Sequence, residues 1–167
     1  LIGLAAALAC TAPLIAQAPG PIGARDAAKV VAGPYQVDPA HTLVRWQLDH
    51  LGITPYFGIF GDVTGTLTLD PKNLSAAKVD VTIPVSKVTT ASSALTAHLL
   101  KAPAKPGEKP DFFGDAPADA RFVSTSVVPD GDMGAKVAGN LTLNGVTKPV
   151  TLNAKFYGAG KSPAQMG

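Results

Sequence analysis

The residues with chemistry to offer are few: three histidines, one cysteine and a scatter of carboxylates. His41, His50 and His98 include no pair at the i, i+4 spacing of a helical zinc motif, and no carboxylate is placed beside them by pattern, so no metal site is expected. Asp111, Asp115 and Asp119 recur every four residues, but Pro110 and Pro117 interrupt them, so they do not share one helical face and read as loop solvation. Cys10 stands alone, which rules out an intrachain disulfide and a cysteine zinc site. The chain contains no Gly-x-Ser-x-Gly and no glycine-rich phosphate loop. No catalytic residue and no cofactor is therefore assigned.

What remains is apolar, and its spacing says where it sits. In Lys136–Phe156, Val137, Leu141 and Leu143 alternate with Ala138, Asn140 and Thr142; Val150, Leu152, Ala154 and Phe156 alternate with Thr151, Asn153 and Lys155. A period of two sends alternate side chains to opposite faces of a sheet. Asn144-Gly145 tolerates positive φ and reverses the chain. The spacing predicts a bulged or wider hairpin, with Pro149 at the start of the second strand because proline cannot donate to a ladder. Thr42–His50 alternates as well, with Val44, Trp46, Leu48 and His50 on one face and Arg45 on the other. Val63–Asp70, Ala77–Ile83 and Arg121–Val128 read as strands, and Tyr35 with Val37 as a short one. Leu51–Phe60 is broken by Gly52, Pro55 and Gly58 yet stays apolar, as a cavity mouth or a core plug would. Thr89–Leu100 is the helical candidate, capped by Thr90 or Ser92. Six or so antiparallel strands with one short helix fit a sandwich or barrel.

The 167 residues suit one domain, and a net charge of +2 with 16% charged residues and no basic stripe argues against nucleic acid as a partner. Residues 1–18 are apolar or small and end in Ala16-Gln17-Ala18, the small-x-small form of a signal-peptidase site. Pro13 and the shortness of the run argue against a membrane span. Ala7-Leu8-Ala9-Cys10 departs from a lipoprotein acylation site, with Ala7 where Leu is usual, so anchoring at Cys10 is not expected. Residues 19–34 read as a flexible Pro/Gly/Ala-rich lead and 35–167 as the folded domain.

An ordered set of segments resembles the YceI family: Asp38-Pro39-Ala40-His41-Thr42, His50-Leu51-Gly52, Gly58-Ile59-Phe60-Gly61, Gly65-Thr66-Leu67-Thr68-Leu69-Asp70, His98-Leu99-Leu100, Asp111-Phe112-Phe113, Arg121-Phe122-Val123-Ser124-Thr125 and Leu143–Leu152. The resemblance runs from Tyr35 to about Gly158. It implies an all-β, extended lipocalin-like antiparallel barrel, export to the bacterial periplasm, and a long apolar ligand inside the barrel: a polyisoprenoid, an isoprenoid quinone or a fatty amide. Ala91–Ala97 replaces a more charged family segment, and Lys101–Pro110 is longer than usual. Family members continue with two further strands, and residue 1 is Leu rather than Met, so the chain is expected to be a fragment at both ends.

On this view Phe57, Phe60, Leu99, Phe112 and Phe113, placed in loops or the helix, and the strand face of Val44, Trp46 and Leu48 line the ligand cavity, with plain core filling as the alternative for a residue such as Trp46; His50 and His98 either contact a head group or hold a satisfied structural role. The expected partners are the lipid itself and, transiently, a membrane or its proteins; the protein itself is expected as a monomer or homodimer. Two alternatives stand beside this one: an enzyme using His50 or His98 as acid or base on a lipid-like substrate, and an envelope interaction or stress-protective module with a self-filled barrel.

Overall fold

A computed structural model describes residues 23–161, so the signal-like segment lies outside the described residues. The alternating segments are strands. β1 is Gly33–Gln36, β2 Val44–His50, β3 Thr54–Phe60, β4 Thr64–Leu69 and β5 Lys78–Ile83. β6 is Val88–Thr89, β7 Ala120–Pro129, β8 Gly134–Leu143 and β9 Val146–Lys155, and α1 is Ser93–Leu99. A six-stranded sheet runs in the order β1-β4-β5-β7-β8-β9, and a three-stranded sheet in the order β2-β3-β6. Every pairing is antiparallel. The fold is thus the antiparallel, mostly-β class that the alternation predicts, with strands at both ends of each sheet left as edges. Among the described residues nine strands replace the expected six or so because the apolar breaks hide short ones.

Three local expectations are corrected. The β8–β9 connection is a two-residue turn, since Leu143 pairs with Val146. Asn144 (φ 49°) and Gly145 (φ 75°) both adopt the left-handed region, the conformation whose twist matches the flanking strands. Pro149 then lies inside β9 rather than at its start, opposite Asn140. Counting alternate pairs from Leu143/Val146 makes Asn140/Pro149 a non-hydrogen-bonded pair, and β9 is an edge strand, so no ladder bond is lost. Finally, Phe57 and Phe60 are not in a loop: Thr54–Phe60 is β3, paired along its length with β2. Pro55 sits opposite Asp49 near the hairpin end, and Gly58 sits opposite Trp46, whose indole lies across it.

A side chain at Gly145 would meet open space, so its substitution tests backbone strain alone. Gly145→Ala is expected to cost about 1–2 kcal/mol, read as a lower urea midpoint at unchanged slope.

Two features shape the large sheet. The β7–β8 register shifts between Ser124 and Ser126, a bulge that bends the strand and raises its twist. The Ser124 hydroxyl accepts from the Val79 backbone N–H at 2.8 Å, so the bulge is tied to β5. At one end of the molecule Phe60, Val63, Ile83, Val85, Val88, Leu99 and Ala120 form the main buried cluster. Helix α1 closes this end. Ser92 caps it by accepting from the Leu95 N–H at 3.2 Å, and the Phe113 N–H donates to the Leu99 carbonyl at 3.0 Å, fastening the 101–119 loop over the helix.

Before β1, residues 27–29 make a single 3-10 turn, capped by the Asp26 carboxylate accepting from the Ala28 N–H at 2.9 Å. Ala24 and Ala159 exchange both backbone hydrogen bonds, at 3.0 and 2.9 Å, so this segment is pinned beside the chain leaving β9.

Candidate functional site

The concave face of the six-stranded sheet is built from the inward parity of its strands. Leu67 of β4 faces Val79 of β5, and Val127 of β7 faces Val137 of β8. Between these rows and the segment before β1 lies a cavity of about 380 Å³. Leu69, Leu74, Ala77, Ala135 and Ala154 are among its other walls, and Ala27 and Val30 of the segment before β1 line it too. Met133 and Phe156 stand at one rim, joined by the Phe156 N–H donating to the Met133 carbonyl at 2.8 Å. The charged groups on the lining are Asp132 and Lys155. The Lys155 ammonium sits 5.5 Å from the centre of the exposed Tyr157 ring, a cation–π contact that holds it at the mouth. Such a site can take an apolar body and offer one charge of either sign to a polar end.

The nine residues expected around a ligand fall into two groups, and none lines this cavity. Val44, Trp46, Phe60, Leu99 and Phe113 are brought together in the main buried cluster. Phe60 lies 6.4 Å from Trp46 and 5.9 Å from Phe113, ring centre to ring centre, in tilted and edge-on geometries. These rings fill their end of the molecule with each other. The Trp46 Nε1–H is buried with no hydrogen-bond partner among the described residues. Leu48, His50, Phe57 and Phe112 are exposed. Leu48 lines a more polar, open hollow of about 280 Å³ at the β2–β3 turn. Phe57 pairs with Gln47 and so lies on the face away from Trp46, where the Arg45 guanidinium covers its ring at 5.4 Å. The Phe112 ring stands edge-on to His98 at 5.3 Å. His98 Nε2 is 3.9 Å from Asp111 Oδ2, at the long limit of an ion pair.

The cavity residues that sequence reasoning did not single out, Leu67, Leu69, Val79, Val127 and Val137, carry the same alternation that marks their strands. That alternation was the available signal; it gave the inward parity but not which inward residues leave space between them.

Charge is arranged on the outside. Arg121 donates twice to Asp80 on the outer face, from Nε at 2.9 Å and from a terminal nitrogen at 2.6 Å. That hydrogen bonding holds the Asp80 carboxyl below its usual range. His41 Nδ1, 2.7 Å from Asp38 Oδ2, lowers the Asp38 carboxyl in the same way. Among the described residues no group of three or more His, Cys, Asp or Glu side chains could hold a metal ion, and no helix is long and apolar enough to cross a membrane.

Comparison with known proteins gives a consistent picture. Residues 35–166 match the YceI-like domain. The chain is 43% identical over 141 residues to Protein YceI of Escherichia coli O157:H7, covering 83% of this chain and 69% of that protein. It is 43% identical over 136 residues to Protein YceI of Salmonella arizonae, covering 80% and 66%. The crystal structure of the Campylobacter jejuni YCEI protein superposes with a TM-score of 0.54 at 30% identity, covering 78% of this chain and 72% of that one. Burkholderia cenocepacia BcnA, at 23% identity and a TM-score of 0.54 over 68% of this chain and 65% of its own, shares the fold.

Proposed function

This chain belongs to the YceI family, and from that premise we propose that it is a periplasmic binding and carrier protein for a long apolar lipid of the isoprenoid type. Family membership and fold support a binding role in general. The observation that carries the lipid reading is the cavity of about 380 Å³, walled by aliphatic side chains with one acid and one base at its lining. Its volume sits at the lower end of the roughly 300–1,000 Å³ usual for small-molecule sites, so it takes a segment of a chain rather than a whole polyprenol. Each CH₂ buried there contributes about 0.8 kcal/mol, so a ligand held along several isoprene units needs few hydrogen bonds. Selectivity is then set by width and depth more than by head group.

Native mass spectrometry with lipid extraction, on protein purified from its own periplasm, tests this. A stoichiometric isoprenoid or fatty amide is the expected result. Leu67→Asp, which sets a carboxylate on the cavity wall, is expected to reduce the bound fraction at least about tenfold while His50→Ala and His98→Ala leave it unchanged. A clean apo mass, with no uptake of added quinone or polyprenol, would overturn the proposal.

A further inference from the structure

Resting on the reading that the cavity takes an apolar chain, we propose that Phe122 is the stop that fixes how deep that chain can go. Phe122 is 3% exposed and belongs to β7, between the cavity at one end of the large sheet and the filled core at the other. On the cavity side it clusters with Val127 and Val137, which line the cavity, and with Val79 beside them. On the core side its cross-strand partner is Val81, which packs against both clusters, and the next pair on the same face is Ile83 with Ala120, both in the filled core.

The ring is held where it is by a missing side chain. Gly139 lies on the inward face of β8, opposite Ser124, and a methyl group there would overlap the Phe122 ring. The edge of the ring therefore occupies space that a side chain at 139 would need. Leu141, its partner on β8, closes the remaining side. Phe122 does not itself line the cavity but clusters with Val127 and Val137, which do, and beyond its ring the interior is occupied by Ile83, Ala120 and the Phe60 cluster, so removing the ring is expected to join new space to the cavity rather than open it to solvent.

The test is a chain-length series. Linear primary alcohols of increasing length are titrated into the intact protein by calorimetry. In the wild type, affinity is expected to rise about fourfold per added methylene and then level off at a definite length. In Phe122→Leu the plateau is expected to move to longer chains, each methylene past the wild-type limit again adding about fourfold, and Phe122→Ala to move it further. Thermal unfolding identifies a variant that has not folded, and the milder leucine variant keeps the test available if alanine is too disruptive. A plateau at the wild-type length in folded Phe122→Leu overturns the stop while leaving chain binding intact. Affinity that climbs in the wild type with no plateau overturns it without any variant. Absence of binding by every alcohol in the wild type removes the lipid reading itself, and the stop with it.

Discussion

Gly65→Ala is expected to destabilise the protein by about 2–6 kcal/mol. Gly65 adopts φ +139°, a region that residues with a side chain rarely enter. A methyl group there would also overlap the Asp80 carbonyl oxygen and come within 2.7 Å of Val81 Cα, both backbone atoms of the neighbouring strand that cannot rotate away. Strain of about 1–3 kcal/mol for the backbone and about 1–3 kcal/mol for overpacking act together. The position has leverage because the Gly65 carbonyl also accepts from the Val37 N–H at 3.0 Å, so a displaced β4 loosens the pairing at β1. Urea unfolding followed by circular dichroism measures it, with Gly145→Ala as the partner experiment in open space. A Gly65→Ala midpoint no lower than that of Gly145→Ala would show that the β4–β5 contact yields easily.

The sheet was legible in the sequence because alternation is a local signal: β2, β4, β5, β7, β8 and β9 each announce one inward and one outward set. Of the two caps offered for the helix, Thr90 and Ser92, Ser92 is the one used, and Thr89 at the head of the expected segment belongs to β6 instead. What alternation does not carry is pairing. Leu51–Phe60 reads as a broken segment because Gly58 and Pro55 disturb it, yet Gly58 is the residue that makes room for the Trp46 indole against β3, where a methyl group would overlap the indole and come within 2.8 Å of the Thr89 carbonyl oxygen. A glycine that punctuates a loop and one that admits a neighbouring ring look alike in sequence. The turn at Asn144-Gly145 was misjudged for a related reason: Pro149 suggested a late strand start, although an edge strand has unpaired positions that accept proline.

The candidate cavity was less legible than the fold, because its walls are small inward residues, whereas sequence reasoning weighed the large aromatic ones, either as ligand contacts or as core filling. Large aromatic side chains suggest a lipid site, but in a close-packed interior they are what fills space. Trp46, Phe60 and Phe113 do so here, packed at tilted and edge-on angles within one cluster. The cavity lies where the inward residues are smaller: Ala77, Ala135 and Ala154, with Val79, Val127 and Val137 between them. These come from β5 and the residue just before it, β7, β8 and the end of β9, so their convergence is a property of strand order, which no local pattern encodes. The segment before Tyr35, read as a tether, contributes Ala27 and Val30 to the same wall.

Phe60→Ala separates these two ways of using an aromatic residue. Phe60 is 6% exposed and touches both Trp46 and Phe113, with Val63, Val85 and Leu99 in the same cluster. If it is a filling residue, truncation is expected to cost about 3–5 kcal/mol, the sum of lost transfer free energy and the void left behind. Alkyl-chain binding at the sheet cavity should then be unchanged under native conditions, because Phe122 and its neighbours stand between the two regions. If Phe60 instead lines the ligand, the same substitution gives a small stability loss and a large change in affinity, since the bound chain and not the fold would lose its contacts. Measuring both quantities on one preparation is what makes the result decisive: urea unfolding gives the first, and calorimetric titration with a linear alcohol the second. A stability loss below about 1 kcal/mol with affinity reduced tenfold or more would move the binding site to the Trp46 end of the molecule and make the apolar cavity under β4, β5, β7 and β8 incidental.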